Sequence, residues 1–245
     1  MTRSNQTLRI IGGEKVRYGE FPWIAKSYIK INSSRIPWCA GFLIDFRLIL
    51  TAAHCIRKLN NPNDYSIEIG DVILGSKRMR HYAVKNVFSH PDFNISGNIE
   101  NDIAIFELEK NINDIKPINL TYNDDKFKFV TVAGWGKTEY GKYPRRMLKT
   151  KVKLHRSCKN RPPRKYIVDN KRQICAVSKS KGACFGDSGG PLMGKTTNGY
   201  LAIGIVSWGS AGACAKFEKF PDVYTRVSYY IDWIYSIMDR INHLK

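Results

Sequence analysis

Ala183-Cys184-Phe185-Gly186-Asp187-Ser188-Gly189-Gly190-Pro191 sets one hydroxyl residue, Ser188, among glycines and directly after an acid. Gly186, Gly189 and Gly190 carry no Cβ, so the backbone can turn tightly and another chain can approach it closely. In such a turn the amide N–H groups of Gly186 and Ser188 can converge on one point. Two convergent donors are what a carbonyl oxygen needs as negative charge builds on it. Alone, the stretch also fits an ordinary polar surface turn, so the rest of the chain has to decide.

Two other segments bear on it. Thr51-Ala52-Ala53-His54-Cys55 sets a histidine among small residues, and Asn101-Asp102-Ile103-Ala104-Ile105-Phe106 starts an apolar strand with an acid. Each has a plain structural reading, as a core histidine or a strand-start aspartate. Together with Ser188 they supply more. A hydroxyl nucleophile needs a base within hydrogen-bond reach, and the base needs an acid to fix its tautomer. His54, Asp102 and Ser188 provide these in that order.

The chain of 245 residues is long enough for one large β domain or two of about 120. At 43% hydrophobic it can build a core, and no run approaches the roughly 18 apolar residues of a membrane span. Residues 1–9 are polar and lack the apolar centre of a secretion signal. Arg9 precedes Ile10-Ile11-Gly12-Gly13, which reads as a processing site. Cleavage there would free an α-amine on Ile10, and a buried charge of that kind needs a buried partner. Short runs rich in β-branched and aromatic residues predict strands at 23–31, 38–44, 48–53, 66–69, 72–74, 129–133, 149–154, 173–177, 201–208 and 223–227. Residues 109–126 are polar and turn-rich and read as a crossing between two halves. Near the end, Tyr230, Trp233, Ile234, Ile237, Met238 and Ile241 recur at helical spacing, with Ser228 as the expected N-cap.

Six cysteines without a C-x-x-C pair argue against a zinc or thioredoxin-type site and for disulfides in an oxidising compartment. Spacing leaves several pairings open. Sequons at Asn5, Asn32, Asn94 and Asn119 are compatible with export and glycosylation. The formal charge is +19, and residues 137–181 hold sixteen Lys/Arg against Glu139 and Asp169. That region is either a solvated basic face or a surface for a heparin-like polyanion. No aromatic-rich RNA-binding motif or DNA-binding helix pattern accompanies it.

Taken together, the chain resembles the chymotrypsin/trypsin-like serine endopeptidases, with an arthropod, mite-like flavour to its ending. The likeness runs from Ile10 to about His243. It is carried by IIGG at 10–13, TAAHC at 51–55, NDIA at 101–104, GWG at 134–136, GDSGGP at 186–191, SWG at 207–209 and PDVYTRV at 221–227. It implies an all-β fold of two six-stranded antiparallel Greek-key barrels, about 23–115 and 125–228, and a C-terminal helix about 229–241. Residues 1–9 would be a propeptide remnant. It implies disulfides Cys39–Cys55, Cys158–Cys175 and Cys184–Cys214, and a freed Ile10 amine paired with Asp187. It implies His54, Asp102 and Ser188 as catalytic residues, Gly186 and Ser188 as oxyanion donors, and Gly182, Ser207, Trp208, Gly209 and Asp222 as substrate-binding positions. The implied protein is a secreted, monomeric zymogen that acts on proteins or peptides and needs no cofactor or metal.

Some positions depart from the family pattern. Trypsins carry an acid where Gly182 stands, and here an acid appears instead at Asp222. That pairing resembles the brachyurin-type arthropod collagenases and implies cleavage after both basic and large apolar side chains. Val177 replaces a usual glycine, and the loop from Gly209 to Cys214 is longer than in trypsin, with Phe217 and Phe220 close behind. The loop that holds calcium in relatives reads Asp71, Lys77, Arg78 and Arg80, so no calcium is expected. An inactive relative with a blocked entrance, acting as a binding protein, is the alternative reading; an intact His54, Asp102 and Ser188 favours the enzyme.

Overall fold

A computed structural model describes residues 13–56, 61–95, 99–138, 140–155, 158, 168–177, 182–209, 214 and 221–243. Its strands are β1 (Glu14–Lys15), β2 (Ile24–Ile31), β3 (Ser34–Asp45), β4 (Leu48–Thr51), β5 (Tyr65–Ile69), β6 (Arg80–Ser89), β7 (Ala104–Leu108), β8 (Asn119–Leu120), β9 (Phe129–Gly134), β10 (Leu148–His155), β11 (Gln173–Val177), β12 (Pro191–Thr196), β13 (Gly199–Trp208) and β14 (Asp222–Arg226). Strands β2-β3-β4-β7-β6-β5 close into one barrel. Strands β10-β11-β14-β13-β12-β9 close into a second, because β9 also pairs with β10. All pairings within the two barrels are antiparallel, while β1 and β8 are short additions to β10 and β13. Closure removes the unpaired edges that an open sheet would expose.

Alternation along the strands fills each barrel. Ala25, Ile29, Leu43, Ile49, Ile67, Ile69 and Phe106 fill the first, and Val130, Val132, Val152, Ile174, Leu192 and Ile203 fill the second. A third cluster lies between them. Phe42, Leu50, Ile103 and Ile105 of the first barrel meet Trp135, Met193 and Ile205 of the second, and helix α1 (Ile231–His243) lays Ile231, Ile234 and Ile241 on the same cluster. The predicted apolar stripe is thus the face that α1 buries.

Four local expectations need correction. The predicted strand at 72–74 is only an isolated bridge from Ile73 to Arg146. The Asp71 carboxylate accepts from the N–H of Val72 and of Ile73, which turns the chain there instead of extending it. Two strands of the barrels went unpredicted. β6 carries Arg80, His81, Lys85 and Asn86 and shows little apolar alternation, while β12 starts on a proline and contains Gly194. Ser228 does not cap the helix: it lies inside a 3₁₀ turn, Val227–Tyr230, and its hydroxyl bonds the Asp124 carboxylate.

The two faces of α1 separate burial from exposure one residue apart. Ile234 is fully buried and Tyr235 is 45% exposed. Ile234→Ala should cost about 2–5 kcal/mol in urea unfolding, whereas Tyr235→Ala should stay within about 0.5 kcal/mol of the parent. Equal losses would contradict the packing of α1 described above.

Candidate active site

The site lies where the loops of the two barrels meet. Strand β4 ends at Thr51, and a 3₁₀ turn, Ala53–Cys55, then presents His54. Asp102 arrives from the other side just before β7 and is fully buried. Its Oδ1 accepts the His54 backbone N–H at 2.8 Å, and its Oδ2 lies 2.8 Å from His54 Nδ1. An ionised carboxylate can only accept, so Nδ1 carries the proton and Nε2 presents its lone pair. Ser207 Oγ donates to the same Oδ2, and Thr225 Oγ1 donates to the Asp102 carbonyl at 2.8 Å. Ser207 was expected among the substrate-binding positions; its contact with Asp102 is one that sequence reasoning missed.

The loop before Asp102 is held in an unusual backbone. Ile99 and Asn101 have φ of 53° and 57°, a region that costs a β-branched residue free energy unless its surroundings hold it there. Here they do. Gln173 donates to the Ile99 carbonyl, and Tyr230 Oη and Asn101 exchange two hydrogen bonds.

Both members of the pair shift in their titration. Burial pushes His54 down, but the Asp102 charge and hydrogen bond outweigh it and leave the imidazole above its usual value. Burial pushes Asp102 up, but His54 and Ser207 outweigh it and hold the carboxyl below its usual value. The ionised acid and the basic imidazole therefore stabilise one another.

Ser188 sits in a turn pressed against the first barrel. Its carbonyl accepts from Ala40 N–H at 2.7 Å, one residue from the Cys39–Cys55 disulfide that flanks His54. Gly189 follows at φ +80°, and a Cβ there would lie 2.2 Å from Thr51 Oγ1. Only glycine allows this approach, which brings the Ser188 turn against the end of the strand that leads to His54. Just before Ser188, Gly186 has φ +94°. The Phe185 carbonyl is taken by Lys137 N–H at 2.8 Å. A trans peptide holds its C=O and N–H on opposite sides, so Gly186 N–H faces away from Lys137.

Asp187 points inward and is 1% exposed. It accepts from Gly136 N–H at 2.7 Å and Cys184 N–H at 3.1 Å. A Cβ on Gly134 or Gly136 would lie 2.2 or 2.1 Å from its oxygens. Burial raises its carboxyl to about 6, although the two N–H donors and the charge of Lys26 pull the other way. Arg9 and Ile10 lie outside the described residues.

The substrate-binding positions form a second group. Asp222 starts β14 opposite Ala176 of β11, and a Cβ on Gly209 would lie 2.7 Å from Asp222 Oδ1. Trp208 pairs with Val223, next in line. Tyr224 is wholly buried, and its hydroxyl is raised by burial and then by the charges of Asp222 and Asp187. Gly182 is buried beside Ala183. Phe217 and Phe220 fall outside the described residues. Disulfides Cys158–Cys175 and Cys184–Cys214 tie the loops around this group. Cys39, His54 and Cys55 are the one described cluster with metal-ligand spacing, but its two sulfurs are bonded to each other, so they are not thiolate ligands.

Comparison with known proteins agrees with this geometry. A family model described as Trypsin matches residues 10–234. The chain is 32% identical over 253 residues to phenoloxidase-activating factor 3 of Holotrichia diomphalia, covering 92% of this chain and 71% of that protein. It is 33% identical over 239 residues to transmembrane protease serine 11C of Mus musculus, covering 93% of this chain and 53% of that protein. On the two closed barrels, the residues they bring together and these matches, the chain belongs to the trypsin-like family of serine proteases.

Proposed function

We propose that the chain is an active serine endopeptidase, exported and made as a zymogen that is switched on by cleavage after Arg9. One observation carries the reading: a fully buried carboxylate, Asp102, grips both the backbone N–H and the Nδ1 of His54. A histidine used only for packing does not need its tautomer fixed this way. In the proposed reaction Ser188 Oγ attacks the scissile carbonyl while His54 Nε2 takes its proton. The Gly186 and Ser188 N–H groups hold the oxyanion. The imidazolium, stabilised by Asp102, then protonates the leaving amine, and water releases the acyl group by the same steps in reverse. The freed Ile10 amine would complete the pairing of Asp187.

Asp222 beside Gly209 supports a substrate pocket with acid on its wall and no side chain at Gly182, suited to Lys/Arg and to large apolar groups. Three disulfides support export. On β10, Lys151 and Lys153 alternate outward with the buried Val152, which supports attraction of the monomer to a heparin-like polyanion, weakening steeply with salt.

After cleavage at Arg9, a fluorophosphonate should label Ser188 and no other residue. An unlabelled, folded and processed chain would instead be a binding protein. Asp102→Asn should lower kcat about 10⁴-fold. The parent's kcat/KM should fall on acidification with a midpoint above 6.5, since His54 is raised from that value and works only when neutral. The limb should move to lower pH in Asp102→Asn, because the lost charge is what raised it. In a peptide library the parent should cut after Lys/Arg and Phe/Tyr/Leu. Asp222→Asn should lose about 10- to 100-fold on the basic residues alone; cleavage confined to small residues would refute the pocket.

A further inference from the structure

Strand β2 reads Ile24-Ala25-Lys26-Ser27-Tyr28-Ile29, and every one of these residues is buried. Lys26 is 3% exposed, although lysine is almost never buried without a partner. Its Nζ leaves the first barrel and donates to the Gly186 carbonyl of the second at 3.0 Å; the Trp38 carbonyl lies at 3.5 Å. The charge that faces it is Asp187. Glu68 lies across from Lys26 on β5, but its carboxylate is engaged by Tyr28, Arg35 and His81.

We propose that Lys26 is a positioning residue of the oxyanion turn: its ammonium holds the Gly186 carbonyl and places positive charge beside Asp187. Gly186 lies in a backbone region open to glycine at little cost, so its peptides can swing unless they are held. Two consecutive carbonyls are held here, Phe185 by Lys137 N–H and Gly186 by Lys26. The second bond is charge-assisted and therefore the stronger kind. Lys26 does not touch substrate; it fixes the 186–187 peptide, and with the 185–186 peptide held by Lys137 the turn at Gly186 cannot swing. Burial lowers the lysine to about 8, with Asp187 opposing the fall, so the ammonium persists at neutral pH. The grip comes from inside the first barrel and needs no cleavage at Arg9. Its effect on turnover rests on the protease reading above; its effect on the order of the turn does not.

The test is hydrogen exchange of the amides at 183–190 in the full, uncleaved chain, comparing wild type with Lys26→Met. Methionine keeps the length and apolar stem of the lysine and removes only the ammonium. Exchange in this segment should rise about 10- to 100-fold, the loss of one charged hydrogen bond, with no change in α1. After cleavage, kcat should fall by a similar factor with KM within about twofold. If the variant does not fold, the uncleaved wild type serves alone. Protection of 183–190, corrected for intrinsic exchange, should drop as pH rises through about 8, while that of α1 stays level. No Ile10 amine exists in that chain to titrate. Unchanged exchange in Lys26→Met, or protection level across pH 8, overturns the proposal. A wild type that resists fluorophosphonate after cleavage counts against the protease reading alone, and the exchange data still decide the role of Lys26.

Discussion

A carboxylate removed from water must be surrounded by donors, and Asp102 draws its donors from both barrels. His54, from the first, supplies its backbone N–H and its ring; Ser207 and Thr225, from the second, supply hydroxyls to the carboxylate and to the carbonyl. An unpaired buried charge costs several kcal/mol, so this one aspartate makes the relative placement of the barrels a condition of stability. The apolar cluster of Phe42, Leu50, Trp135 and Ile205 presses the barrels together without choosing a register. The hydrogen bonds of Asp102 choose it.

Close backbone approach does the same on the Ser188 side. Gly189 against Thr51, and Gly134 and Gly136 against Asp187, leave no room for a methyl group. The glycines of the opening stretch thus have separate uses. Gly186 turns the chain, and Gly189 lets the turn meet the first barrel. Gly190 N–H bonds the Asp187 carbonyl and closes the loop behind Ser188. A mobile surface turn would require none of these.

Much of this was legible in the chain. Runs of Val, Ile and aromatics marked most of the strands, because a strand with a buried face needs them. The helical stripe ending at Ile241 marked α1. The segments around His54, Asp102 and Ser188 carried the family likeness. Apart from the turn that Asp71 makes at 72–73, the illegible parts depend on a partner elsewhere in the chain. β6 mixes polar and apolar residues on both sides and becomes a strand only because the barrel must close between β5 and β7. Ser228 looks like a cap until Asp124, a hundred residues earlier in the chain, takes its hydroxyl. Ser207 reads as part of a substrate wall, and its bond to Asp102 appears only once β13 lies beside the Asp102 loop. The one signal for Lys26 was a charge interrupting an apolar strand, and such a lysine usually reaches solvent at its tip.

Asp102 and Asp187 are both fully enclosed, yet they titrate in opposite directions, and the difference lies in their donors. Asp102 has a histidine that can become cationic, a hydroxyl and a backbone N–H, and it is held below its ordinary value. Asp187 has two backbone N–H groups and the more distant charge of Lys26, and it is raised to about 6. A raised carboxyl contributes stability that is fully present below its unfolded value and lost as pH rises through about 6. At neutral pH that loss is on the order of 3 kcal/mol. The turn that carries Ser188 is therefore built around a carboxylate with less positive charge than it can use. Such a group strengthens its hold on the turn whenever a further cation reaches it. A chain that frees an α-amine at Ile10 has that cation available, so the same deficit that weakens the uncleaved fold would drive the proposed activation.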